Sequence, residues 1–234
     1  HVYSLLCANL AIKYRYMDRW DEAAELHRKG LASSPFAEHV EGLWWCANGR
    51  DDDAGIVAEA ERLWHFAQDH GYGRHDPPNY FPTVALSLYK PDRGDEIGIW
   101  LERLDEWFAS LDEDEQRGER RDYLAALMSL LDFFSAFRPE QVLPRLRVYQ
   151  DEVRALRDCY VLRRLACALE AYPELLDECL ALHEEAASYL NESDGEDERR
   201  MSREGIARAE RKLAEHRAAA SAPAAGGKPW WKFW

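Results

Sequence analysis

At 234 residues with 47% hydrophobic side chains, the chain has material for one elongated domain or two small ones. Forty-four acidic side chains against 30 basic ones give a net charge of −14, which argues against a nucleic-acid partner, because such binding rests on neutralising phosphates. Five cysteines (Cys7, Cys46, Cys159, Cys167 and Cys179) form no CxxC pair and sit in apolar helical patterns, so they read as small hydrophobes in a reducing, cytoplasmic setting. The chain opens at His1 with no signal-peptide pattern, and no apolar run is long enough to span a bilayer.

Apolar residues recur at three and four positions throughout, the helical period, and strand signals are weak. Residues 2–16 offer Leu6, Leu10, Ala11 and Tyr14; residues 21–31 offer Ala23, Ala24, Leu26, His27 and Leu31. Ser33-Ser34-Pro35 then marks a stop and a cap for the next helix. Residues 38–48 carry Leu43, Trp44 and Ala47, and residues 54–70 carry Val57, Ala60, Leu63, Trp64 and Ala67 before Gly71-Tyr72-Gly73. Further helices are expected over 80–89, 94–110, 114–137, 139–156, 158–171, 173–191 and 198–219, separated at Pro77-Pro78, Pro91, Pro139, Pro173 and the acidic run 191–197. Trp44, Trp100 and Trp107 fall on apolar faces and are expected in the core, whereas Trp45 points off its stripe toward a surface.

Within the first 35 residues, Leu10-Ala11, Tyr14, Ala23 and Pro35 stand at the spacing of a tetratricopeptide repeat, which this segment resembles. His27 departs from the family pattern, where an aromatic or large apolar residue is usual; Gly30 replaces the usual Ala but keeps the small side chain a helix crossing needs. Asp18-Arg19-Trp20-Asp21-Glu22-Ala23 recurs as Asp92-Arg93-Gly94-Asp95-Glu96-Ile97, 74 residues later. The resemblance covers residues 1–110 as three helix pairs, clear in the first, moderate in the third and weak in the second. It implies an all-α architecture of antiparallel helix pairs stacked as an α-solenoid, since one pair cannot bury its apolar face alone. Residues 111–192 are read as further helical hairpins or a capping bundle, 193–219 as a basic, charged helix, and 220–234 as a flexible linker with an aromatic tail.

The family geometry places Leu5, Ala8, Ile12 and Arg15 of the first helix on a concave groove. Repeats that grip carboxylate tails present Lys and Asn at such positions; Ala8 and Ile12 here imply an apolar or mixed ligand. Chemistry is less well supported. His65, Asp69, His70, His75 and Asp76 are the densest set of metal-ligand types, but their spacing matches no established zinc pattern, and His70 also suits the negative end of a helix. The carboxylate runs Asp51-Asp52-Asp53, 112–115 and 194–198 read as solvated loops or helix N-termini. GxSxG, P-loop and GxGxxG patterns are missing, so no catalytic residue, metal or cofactor is assigned.

The chain ends on Lys228, Pro229, Trp230, Trp231, Lys232, Phe233 and Trp234, a basic aromatic tip behind an Ala/Ser/Pro/Gly tether at 218–227. From Arg199 onward nine basic residues meet only three acids, so an acidic body carries a basic arm. Tryptophans are efficient anchors in protein pockets, and they also favour the bilayer interface beside lysines. The expectation is a non-enzymatic interaction scaffold or adaptor that holds a protein or peptide on its repeat surface and docks through the tip. Two alternatives stand beside it: a membrane-peripheral protein with a weak lipid-surface contact through the tail, and a helical metal-binding protein or enzyme centred on residues 65–76. A tip folded back on its own domain is a further outcome.

Overall fold

The helical period in the sequence becomes helices throughout: the computed structural model describes residues 2–70, 77–191 and 194–221, and every regular element among the described residues is helical. The chain divides into two compact units, His1–Arg138 and Pro139–Trp234. The division falls after residue 138 and not at 110, because the long helix that begins at Glu113 packs within the first unit.

In the first unit the order is α1 (Val2–Arg15), α2 (Trp20–Ser33), α3 (Ala37–Gly49), α4 (Asp53–His70), α5 (Phe81–Ser87), α6 (Ile97–Ser110) and α7 (Glu113–Ser135). Each of the first four helices packs on the next, and α1 also touches α3. The turns inside the pairs α1/α2 and α3/α4 are built alike. Asp18 and Asp51 take positive φ, 54° and 52°, a conformation that aspartate tolerates better than most residues. The following amide reaches back to the same kind of acceptor: Arg19 N–H to the Tyr14 carbonyl at 3.0 Å, and Asp52 N–H to the Ala47 carbonyl at 3.1 Å. The two turns therefore repeat at an offset of 33 residues, Asp18 to Asp51.

Small side chains let α1, α2 and α3 approach: Ala11, Ala23, Ala24 and Cys46 pack with Leu43, and Tyr14, Leu26 and Leu31 close over them. Where α2 crosses α3, two residue pairs interlock. The His39 ring lies on Gly30, and the His27 ring lies on Gly42; a Cβ on either glycine would collide with the imidazole. Farther along, aromatics fill the unit. Phe81, Val84, Ala85 and Leu88 are fully buried in and beside the short α5, with Phe81 4.8 Å from Trp100 and 5.8 Å from Trp64, ring centre to ring centre. Arg103 lies over Trp100 and bonds Glu61 at 2.8 Å. Trp44, Trp100 and Trp107 are core residues, as their helical spacing predicts.

Helix ends differ in part from expectation. Ser33-Ser34-Pro35 does end α2, but α3 carries Phe36 at its N-cap with no side-chain bond, while Ser34 closes α2 through its N–H to the Gly30 carbonyl. The acids at 112–115 form a capping box: Asp112 accepts from the amides of Asp114 and Glu115, and Glu115 accepts from the Asp112 amide at 3.0 Å.

The second unit comprises α8 (Pro139–Leu156), α9 (Cys159–Leu169), α10 (Leu176–Ser188) and α11 (Glu196–Ser221). Asp158 caps α9 by accepting from the Tyr160 and Val161 amides. The basic helix expected at 193–219 is α11, and it packs within its unit. Ser202, Gly205, Ala209 and Leu213 recur at three and four positions and bury against α10, with α9 nearby. Gly205 is required there, since a Cβ would press on the His183 ring at 2.8 Å.

The α2–α3 crossing makes a direct prediction. Gly30→Ala should destabilise the chain by about 1–3 kcal/mol through overpacking, despite alanine's better helix propensity. In a double-mutant cycle with His39→Ala, the two costs should add to less than their sum. Urea titration of the four proteins checks this, and an unchanged midpoint for Gly30→Ala contradicts the close packing.

Candidate functional site

Leu5 and Ala8 line a cavity of about 160 Å³ with Ser4 on the same helix and Phe36, Glu38 and His39 at the start of α3. Helical geometry brings Ser4, Leu5 and Ala8 together, because positions four apart share a face. Ile12 and Arg15 do not line this cavity; they continue along α1, where the Arg15 guanidinium sits 5.2 Å over the Trp45 ring. Trp45 in turn donates its indole N–H to Glu41 at 3.1 Å, which places it half-exposed at the surface expected for it. Glu38 at the mouth makes no ion pair among the described residues.

His39 forms the back of the cavity and ties three helices together. Its Nε2 lies 2.7 Å from Ser4 Oγ on α1, and its Nδ1 lies 3.2 Å from His27 Nδ1 on α2. Both rings are almost fully buried. For the two facing Nδ1 atoms to bond, one must donate and the other accept, and His27 Nε2 has no partner among the described residues. A charged His27 would thus carry a buried N–H without an acceptor. Burial, then the neighbouring His39 and Arg15, push its pKa down from 6.5 to about 4, against the smaller opposing effect of Glu41. Burial also lowers His39, although Glu38 and the Ser4 contact oppose it. Neither histidine was singled out as a site residue; the signal available was the repeated spacing His27-x-x-Gly30 and His39-x-x-Gly42.

Around the cavity, α1 keeps a broad apolar surface. Val2 (76% exposed), Tyr3, Leu5, Leu6, Leu10, Ile12, Tyr16 and Met17 all face outward to a large extent. A second hollow lies between α1 and α2, where Leu10, Tyr14 and Leu26 are rimmed by Asp21, Glu22, Glu25 and Lys29.

The constellation at 65–76 does not converge in its described members. His65 faces Glu61 at 3.8 Å, and His70 stacks on Phe66 and bonds that residue's carbonyl through Nδ1 at 3.0 Å. His75 and Asp76 lie outside the described residues, as do Lys228, Pro229, Trp230, Trp231, Lys232, Phe233 and Trp234. Among the described residues, three ligand types do meet elsewhere: Cys167, Glu170 and His183 place donor atoms within 4.8 Å of one another in the second unit. Their carboxylate is already occupied. Arg208 bonds both Glu170 oxygens at 2.8 Å, Lys212 reaches one at 2.9 Å, and His183 Nε2 lies at 3.3 Å. Burial alone would raise the Glu170 pKa, but these hydrogen bonds outweigh it and hold the carboxyl at about 2. Two fixed cations supply the charge that a metal would bring, so the arrangement fits a structural buried ion cluster better than a metal centre. The nearby Cys179 thiol is pushed up to about 12, burial first, and is not a nucleophile at neutral pH.

No protein-family model and no curated protein sequence matches the chain. No described helix is long and apolar enough to cross a membrane.

Acid should loosen the two units in sequence. His27 is bound neutral, so its contribution is complete above pH 6.5 and is lost as pH falls from 6.5 through 4. Glu170 is bound charged, so its contribution is complete above 4.5 and is lost only as pH falls toward 2. Urea midpoints measured from pH 7.5 downward should drop first between 6.5 and 4, and His27→Leu should flatten that first step. A midpoint constant down to pH 4.5 contradicts the buried neutral pair.

Proposed function

We propose that the chain is a non-enzymatic interaction scaffold of tetratricopeptide-like helix pairs, which holds a peptide segment of a protein partner along α1 and the start of α3. The observation that carries the reading is the cavity of Leu5, Ala8, Phe36, Glu38 and His39 set within the exposed apolar surface of α1. At about 160 Å³ it is smaller than the roughly 300 Å³ at which small-molecule sites begin, and it suits a single side chain of a longer ligand. Large apolar anchors in such pockets dominate binding energy, and the apolar surface around them excludes water. Glu38 at the mouth favours a cation beside the anchor. The occupant that fits this cavity is therefore a peptide with one large apolar residue next to Lys or Arg. The repeat of the α1/α2 turn at α3/α4 supports the family reading. In this reading the tip from Lys228 to Trp234 is a second docking element on the same adaptor, and its residues carry the same apolar and basic chemistry.

A peptide array probed with the chain and with Ala8→Glu tests the assignment. Bound peptides should share a large apolar residue flanked by Lys or Arg, and Ala8→Glu should weaken them by about tenfold or more, the loss of one buried anchor contact. Selection of acidic peptides, or binding indifferent to Ala8→Glu in a normally stable protein, would overturn the reading.

A further inference from the structure

The second unit holds a different kind of hollow, between the end of α10 and the first turns of α11. It measures about 370 Å³ and is lined by Ala187, Leu190, Asn191, Arg199, Ser202, Arg203 and Ile206. That volume lies within the range of small-molecule sites, unlike the cavity on α1. Three of its walls are aliphatic: Ala187 from the end of α10, Leu190 two residues beyond that helix, and Ile206 from α11.

Its polar groups are unusual for so acidic a chain. Arg199 is half-buried, and its hydrogen bonds go to neutral carbonyl oxygens, of Asn191 at 2.9 Å and of Asp194 at 3.3 Å. No carboxylate among the described residues pairs with it, whereas the other arginine of the wall, Arg203, is held by Glu196 at 2.6 Å. Guanidinium groups prefer a planar anion that can take two parallel hydrogen bonds. Ser202, almost fully buried in the same wall, has a hydroxyl with no hydrogen-bond partner among the described residues. A buried hydroxyl without a partner is costly, and rotation about its side-chain bond lets it donate to an acceptor that arrives in the hollow. The Glu170 cluster, by contrast, leaves no cation uncommitted.

From these three features together, a partly buried arginine bonded only to carbonyls, an orphan hydroxyl, and aliphatic walls around a cavity of ligand size, we infer that this hollow binds a small carboxylate bearing a short aliphatic body. The carboxylate faces Arg199, and the hydrocarbon lies between Ala187, Leu190 and Ile206. A polyanion is disfavoured, since the other arginine of the wall, Arg203, is already held by Glu196 and the chain as a whole carries −14.

The test is a titration of the full isotope-labelled chain with hexanoate, hexanol and hexylammonium, followed by amide chemical shifts. Hexanoate should saturate in the millimolar range, with shifts centred on Leu190, Arg199, Ser202 and Ile206. Hexanol should bind about tenfold more weakly or worse, the value of one charge-assisted hydrogen-bond pair, and hexylammonium not at all. Arg199→Met should reduce hexanoate to the level of hexanol. Because Arg199 also holds the turn before α11, Ala187→Phe provides a second variant that fills the hollow from the helix side and should abolish binding of both ligands. Equal affinity for hexanoate and hexanol, shifts scattered over surface arginines and lysines, or saturable binding that survives Ala187→Phe would each overturn the inference.

Discussion

The first unit is organised around one crossing. His39 reaches Ser4 on α1, His27 on α2 and the open face of Gly30, so a single side chain fixes how three helices meet. The glycines make the approach possible, and the two imidazoles fill the space that the glycines leave. Without that crossing, the cavity on α1 would have no back wall, because His39 is the wall. The cost is a buried ring nitrogen with no partner, which keeps His27 neutral and makes this part of the protein sensitive to mild acid.

The second unit solves a related problem with charge. Glu170, on the C-terminal side of α9, accepts from α10 and α11 at once, so His183, Arg208 and Lys212 converge on one carboxylate. A carboxylate so well supplied stays ionised far into acid, and the helix that supplies two of the donors is thereby held to the unit. The two units thus use opposite protonation logic, one burying a neutral imidazole and the other a charged carboxylate.

Much of this was legible in the sequence, and the reasons are local. Helices appear wherever apolar residues recur at three and four positions, and Leu5 and Ala8 share a cavity because the same period places them on one face. Core tryptophans were readable for the same reason. What the sequence did not reveal depends on contacts distant along the chain. Glu170, His183 and Arg208 carry no common local pattern, and only the four-residue spacing of Arg208 and Lys212 hints at a shared acceptor. Phe36, not a serine, stands at the N-cap of α3, and the Ser34 backbone closes α2. Ile12 and Arg15 lie outside the cavity that Leu5 and Ala8 line, and the Arg15 guanidinium sits over the Trp45 ring, a contact distant along the chain. The apolar stripe of the basic helix is thin, but small residues at 202, 205 and 209 allow close packing without large side chains.

In the proposed function, the face formed by α1 and the start of α3 holds the partner. The most direct measurement maps amide chemical shifts of the labelled chain on addition of a synthetic peptide that carries one tryptophan beside a lysine. The account predicts saturable shifts concentrated at Leu5, Ala8, Phe36, Glu38 and His39, with the His39 ring responding as its cavity fills. Shifts confined to other surfaces, or none at all while the chain remains folded, would contradict it.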